Sequence, residues 1–254
     1  MASRLRSRRP NLTRCGGAPA RARRPFRVAW ACRPAGAVGG DVVAASAPAP
    51  GQLLLFVADA MGHGPAAAPL AAAVRAAWHA ARRDGVAAPA ELLARLNGAL
   101  GALPDGAFAT AACCLLDAGT ASLTGALAGH PPVLVRRPGG AVEALSTPAL
   151  PLGLSRGAAY AERRLPLEPG AVVLLATDGV SDGLGGAGRL AEHLTAPPAG
   201  GARGVVRALM SAAARGWRRS APGERDDCAA LVARWRRESR ALPSPPDPGE
   251  AGRG

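Results

Sequence analysis

Apolar residues in this chain come in short unbroken runs that stop at glycine, proline or aspartate. Nine runs read as strands: 42–48, 52–58, 108–116, 122–128, 132–137, 141–145, 158–167, 171–177 and 228–235. Turn chemistry separates many of them, with "PAPG" at 48–51, "DAGT" at 117–120, "RPGG" at 137–140 and "LEPG" at 167–170. Such connections are too short for a parallel crossover, so the neighbouring strands are expected to be antiparallel. Three stretches carry helical spacing instead. Residues 66–83 place Leu70, Val74, Ala77 and Ala81 on one face, and 89–103 place Leu92, Leu93, Leu96, Leu100 and Leu103. Residues 203–217 align Val205, Val206, Leu209, Met210 and Ala213, with Met210 and Trp217 reading as packing residues. Runs of strands with helices set apart predict a layered α+β fold. There is no internal repeat, and no GxGxxG follows the first strand, which leaves a dinucleotide site without support.

The ends of these runs carry the chemistry. Asp41 opens the first strand and Asp59 closes the second. A hairpin turning at 48–51 is centred on residue 50, which sets the two aspartates opposite each other at its open end. The run "AVVLLATDG" likewise ends on Asp178, and "RDDCAALVARW" begins a strand just after Asp226 and Asp227. If 171–177 and 228–235 are antiparallel neighbours, these acids share an end as well, and about four carboxylates crowd one rim if the pairs meet. Like charges that close raise one another's pKa. A divalent cation relieves them, and an all-oxygen ligand set selects magnesium or manganese over zinc. A single Asp at a strand end is ordinarily a turn former; the arrangement at three strand ends favours a metal. His63, in "GHG", reads equally as a proton donor or as a turn residue bonded to backbone, and His130, before two prolines, reads as structural. Thr177 and Ser181 have no histidine at a suggestive spacing, so a serine-nucleophile triad is poorly supported.

Length and charge set the frame around that rim. A chain of 254 residues, 48% hydrophobic, fits one domain with flexible ends. Every basic residue is arginine, and the net charge of +13 is uneven. Residues 1–27 hold nine arginines and no acid, and 236–254 are net +1, which leaves +3 for the body. The expected organisation is an unstructured arginine-rich tail at 1–27, a folded domain at 28–235 and an unstructured Pro/Gly-rich tail at 236–254. The N-terminal tail has no apolar run, so it reads as neither a membrane span nor a secretory signal. A near-neutral body restricts any nucleic-acid contact to weak binding by the tail. Cys15, Cys32, Cys113, Cys114 and Cys228 are odd in number and form no CxxC. That pattern fits a reduced cytoplasmic compartment, with no disulfide framework, no zinc site and no membrane.

Seven motifs in order resemble the metal-dependent type 2C protein phosphatases (PPM type), in the bacterial branch typified by stage II sporulation protein E and the sigma-factor regulators. They are "PAGAVGGD", "VADAMGHGPAAA", "FATAACCLLD", "LAGHPPVLVRRPGG", "LPLGL", "LEPGAVVLLATDGVSDG" and "DDCAALVAR", spanning roughly 34–233. The resemblance implies an αββα sandwich, in which two antiparallel sheets face each other with helices outside, and a two-metal centre at one end. By motif, Asp41, Asp59 and the Ala60 carbonyl would hold one Mn²⁺ or Mg²⁺. Asp59 would bridge to a second ion held by Asp178 and Asp226, with Asp227 the lesser candidate of its pair. Asp59 and Asp178, with His63, would be the catalytic residues. The implied activity is hydrolysis of phosphoserine or phosphothreonine by metal-activated water, and the implied partner a phosphorylated regulatory protein such as an anti-sigma-factor antagonist. Val43 and Ala44 depart from the aromatic and second acid that often follow "GGD" in the family, which keeps a catalytically weak, partner-binding phosphatase-like module as the alternative. About 27 residues precede the expected catalytic domain, too few for the sensor domains that many relatives carry there, so control is expected from a partner, expression or loops.

Overall fold

The computed structural model describes residues 25–236, apart from His63, 102–105, 196–199 and 222–223. Most of both expected tails therefore lies outside the described residues. Among the described residues ten strands form two five-stranded antiparallel sheets. The first sheet runs β1 (Phe26–Arg33), β10 (Cys228–Trp235), β9 (Val172–Ala176), β6 (Val133–Arg136) and β7 (Val142–Leu145). The second runs β2 (Asp41–Ser46), β3 (Gln52–Ala60), β4 (Ala109–Asp117), β5 (Ser122–Ala128) and β8 (Arg163–Pro166).

Side chains alternate across each strand, and here both faces are covered. In β3, Leu53, Leu55 and Val57 join Val173 and Leu175 of β9 and Leu231 of β10 in the core between the sheets. Their neighbours Leu54, Phe56 and Ala58 pack outward against α1 (Ala68–Arg83) and α2 (Pro89–Leu100), where Phe56 stacks on Trp78 at 4.8 Å. On the other sheet Val172, Leu174 and Val232 pack against α3 (Asp178–Leu184), α4 (Ala187–Thr195) and α5 (Gly201–Trp217). The four layers are thus helices, sheet, sheet and helices, as expected from the family resemblance. Covering both faces explains why β3 and β9 read as unbroken apolar runs despite being antiparallel; alternation is legible only where one face meets water. Among the described residues no helix is long and apolar enough to cross a membrane.

Several elements differ from expectation. The strand at 158–167 shortens to 163–166, and the helix at 66–83 begins with a 3₁₀ turn at Gly64–Ala66 before α1. β1 was not anticipated, although Phe26, Val28 and Trp30 alternate toward the inter-sheet core. α3 and α4 were not anticipated either. α3, "DGVSDGL", has poor helix formers and is held by tertiary contacts. The Trp217 indole N–H donates to the Gly179 carbonyl at 2.8 Å, and a Cβ on Gly183 would stand 2.7 Å from that indole. Opposite it, a Cβ on Gly216 would overlap the Gly183 carbonyl. α3 and α5 therefore meet backbone to backbone, and this contact sets the position of Asp178 at the start of α3.

In helix propensity Gly216→Ala gains about 1 kcal/mol, whereas forcing a methyl into a filled contact costs about 1–3 kcal/mol or more. Because the added atom meets backbone, which cannot rotate away, the clash wins. Urea unfolding is expected to show a net loss of about 2 kcal/mol; equal or greater stability would contradict the close approach.

Candidate metal centre

The β2–β3 hairpin pairs Asp41 with Asp59, as the register argument predicts. β9 and β10 are antiparallel neighbours, so Asp178, just past β9, and Asp226 and Asp227, just before β10, emerge at one end of the facing sheet. The two rims meet. The Thr177 hydroxyl, between β9 and α3, donates to Asp41 Oδ2 at 3.1 Å and accepts the Ala229 N–H at 2.9 Å. A strand-end threonine thereby ties one sheet to the carboxylate of the other.

Asp227 has a different function from the rest. Its carboxylate is buried and accepts two backbone N–H groups, Ala35 at 2.7 Å and Gly40 at 2.6 Å. These bonds fix the 34–40 loop that leads into Asp41. Gly39 is required there, since a Cβ would overlap the Asp227 carboxylate. Asp226 instead accepts the Asp227 N–H at 2.7 Å with one oxygen, leaving the other free of such bonds. The two adjacent acids thus differ in what their oxygens already bind.

The remaining acids are electrostatically coupled. Burial, then the Asp59 charge, pushes Asp41 up from its ordinary 3.8 to about 8, with the Thr177 bond opposing the rise. Burial, then the charges of Asp178, Asp226 and Asp227, pushes Asp59 to about 7. Asp226 is raised by burial and by Asp178 and Asp227, against the pull of its backbone bond. Arg225 adjoins Asp226 in sequence, but among the described residues no arginine forms an ion pair with these acids.

The donor set fits a hard cation. Asp41 Oδ1 is buried without a hydrogen-bond partner, an arrangement that costs free energy unless something positive meets it. A Cβ on Gly40 would stand 2.8 Å from the Ala60 carbonyl oxygen, so glycine keeps that oxygen approachable. All candidate donors are oxygens, which suits magnesium or manganese. Among the described residues no three His, Cys, Asp or Glu side chains stand close enough together to hold a metal ion as they are, so binding one requires the carboxylates to move together.

Other candidates fall away from this chemistry. His63 lies outside the described residues. His130 is buried, shares a 2.8 Å hydrogen bond with Thr110, and is pushed down to about 4 by burial, which makes it a neutral structural residue. The Ser181 hydroxyl donates to the Asp178 carbonyl at 2.8 Å. Val43 and Ala44, the departures in "GGDVVAAS", pack against the inter-sheet and outer cores respectively. The structural functions of Thr177 and Asp227 were missed from sequence. Only their adjacency to Asp178 and Asp226 hinted at them.

A family model described as stage II sporulation protein E (SpoIIE) matches residues 49–236. Among curated proteins none matches. The solved RsbU and RsbW domains of Rv1364c from Mycobacterium tuberculosis are 25% identical over 83% of this chain and 60% of that one, with a TM-score of 0.70. This chain thus spans less than two thirds of that relative. The SiaA-PP2C domain of Pseudomonas aeruginosa is also 25% identical, over 82% of this chain and 85% of its own, with a TM-score of 0.71. The catalytic domain of the serine/threonine protein phosphatase PstP, solved with two manganese ions, is 20% identical over 82% and 97% of the two chains, with a TM-score of 0.64, and shares the fold.

The raised carboxylates give the metal-free protein a pH signature. Each contributes stability that is full below about pH 3.8 and is lost as pH rises toward about 7 for Asp59 and about 8 for Asp41. In EDTA, urea midpoints of wild type relative to Asp41→Asn should therefore fall steadily between pH 4 and 8. A constant difference would contradict the coupling.

Proposed function

The chain belongs to the stage II sporulation protein E (SpoIIE) family, and from that premise we propose that it is a metal-dependent protein serine/threonine phosphatase acting on a phosphorylated regulatory protein. The observation that carries the reading is the buried, unpartnered Asp41 oxygen within a rim of mutually repelling carboxylates. Asp41, Asp59 and the Ala60 carbonyl would hold one Mn²⁺ or Mg²⁺, and Asp59, Asp178 and Asp226 a second. Bound there, the pair supplies charge neutralisation for the phosphoryl oxygens and an activated attacking water near neutral pH.

The protein's own residues prepare that site. Thr177 holds one Asp41 oxygen and leaves the other without a hydrogen-bond partner. Asp227 fixes the loop before Asp41, while the α3–α5 contact fixes Asp178. Ser181 is committed to backbone, which favours direct attack by water over a covalent enzyme intermediate. Phosphate monoesters hydrolyse so slowly that the site must supply on the order of 20 kcal/mol, most of it positioning and electrostatics. His63 is the candidate proton donor.

The regulatory partner is supported by the relatives: one match comprises RsbU and RsbW domains within a single protein. An anti-sigma-factor antagonist is the substrate we favour, and a cytoplasmic location with the phosphatase domain at 28–235 completes the proposal. The partner-binding alternative loses its main support because Val43 and Ala44 fill packing positions and remove no candidate ligand.

Purified protein is expected to hydrolyse p-nitrophenyl phosphate with manganese or magnesium and to lose activity in EDTA. Asp59→Ala should reduce turnover by more than about 100-fold, beyond the usual effect of an outer-shell change. If folded protein binds manganese by calorimetry yet turns over neither this ester nor a phosphoserine peptide, the phosphatase reading fails. A second comparison separates the adjacent acids. Asp226→Asn should abolish turnover without loss of metal-free stability, whereas Asp227→Asn should cost about 2 kcal/mol of stability by disrupting two buried charge-assisted bonds. The reverse pattern would exchange their assignments.

A further inference from the structure

Beside the rim, on the α5 side, lies a cavity of about 210 Å³. Arg33 at the end of β1, Arg218 just after α5, and Arg225 line it, with Trp217 and Met210 as an apolar wall and Asp226 at the edge shared with the metal centre. The three arginines are exposed, and none is ion-paired among the described residues. The basic character extends away from the cavity. Arg203, Arg207 and Arg215 on α5, and Arg219 beyond it, are also exposed, and no acid occurs between residues 201 and 223. A near-neutral body therefore concentrates positive charge along one helix that ends beside the candidate centre.

We infer that the cavity lined by Arg33, Arg218 and Arg225 is a specificity pocket for an acidic side chain flanking the phosphorylated residue, with exposed arginines along α5 forming the landing face for an acidic phosphoprotein. This rests on the phosphatase reading, which puts the phosphate at the rim that Asp226 shares with the pocket. An extended peptide advances about 3.3 Å per residue, so a carboxylate one to three residues from the phosphoserine reaches the neighbouring pocket. Guanidinium groups suit that ligand because they pair with carboxylates bidentately and stay charged at every working pH. The apolar wall receives the methylenes of a glutamate, while the outer arginines steer an acidic surface toward the site. A small pocket beside a hydrolytic centre favours a protein side chain over a polynucleotide, which would need a groove with stacking surfaces.

The test is fluorescence anisotropy with two synthetic phosphoserine peptides, identical except that three flanking glutamates in one are glutamines in the other. Wild-type protein should bind the acidic peptide about tenfold more tightly, and 0.5 M NaCl should largely remove that preference. Arg33→Ala combined with Arg218→Ala should reduce it to within about twofold, and Arg218→Glu alone should do the same. Arg95→Ala, on α2 across the sandwich, should leave the preference intact. Equal binding of both peptides by wild type, or a preference that survives the pocket substitutions, overturns the proposal. So does an unstructured 20-nucleotide RNA that displaces the acidic peptide at equal concentration. Binding requires no turnover, so the outcomes separate: selective binding by manganese-loaded protein that hydrolyses neither p-nitrophenyl phosphate nor the phosphoserine peptides sinks the phosphatase reading and retains the pocket, while turnover without selectivity sinks the pocket alone.

Discussion

Carboxylates brought to one end of two facing sheets repel one another, and the site is organised around what that repulsion demands. Asp41 is buried and pushed to about 8, while Asp59, its partner across the hairpin, is pushed to about 7. A protein keeps such an arrangement at a cost to its own stability unless a positive charge is supplied. The described arginines provide no ion pair there, and the donors left open are oxygens. Repulsion without an internal counter-charge is therefore the physical argument for a divalent cation.

The fold holds those groups against their repulsion. Each sheet is covered on both faces, so β3 and β9 are anchored by side chains pointing both ways, each fully buried Leu or Val worth roughly 1.5–3 kcal/mol. Strands secured along their length can bear strain at their ends. Thr177 links the sheets at the rim, Asp227 binds the loop before Asp41, and glycines at 39, 40, 183 and 216 permit approaches that any side chain would block. Stability and chemistry are thus divided along the same strands, with packing in the middle and charge at the tips.

Much of this was legible in the sequence because it follows from covalent spacing. A turn centred on residue 50 forces Asp41 opposite Asp59, whatever lies around it. The motif order conveyed the four layers. Less visible were the elements whose stability is tertiary: α3 has a weak helical sequence and exists through Trp217 and the Gly183–Gly216 contact. β1 was hidden by its position next to the arginine-rich segment, although its alternation is present. Asp227 looked like a spare ligand, since nothing local distinguishes a carboxylate that binds a metal from one that binds two backbone amides 187 and 192 residues away.

If these oxygens gather divalent cations, anomalous diffraction at the manganese edge from crystals soaked in manganese chloride will locate them. Two peaks are expected, one contacted by Asp41, Asp59 and the Ala60 carbonyl, the other by Asp59, Asp178 and Asp226. Manganese bound elsewhere, or a rim left empty at saturating manganese with its carboxylates still apart, would contradict that expectation.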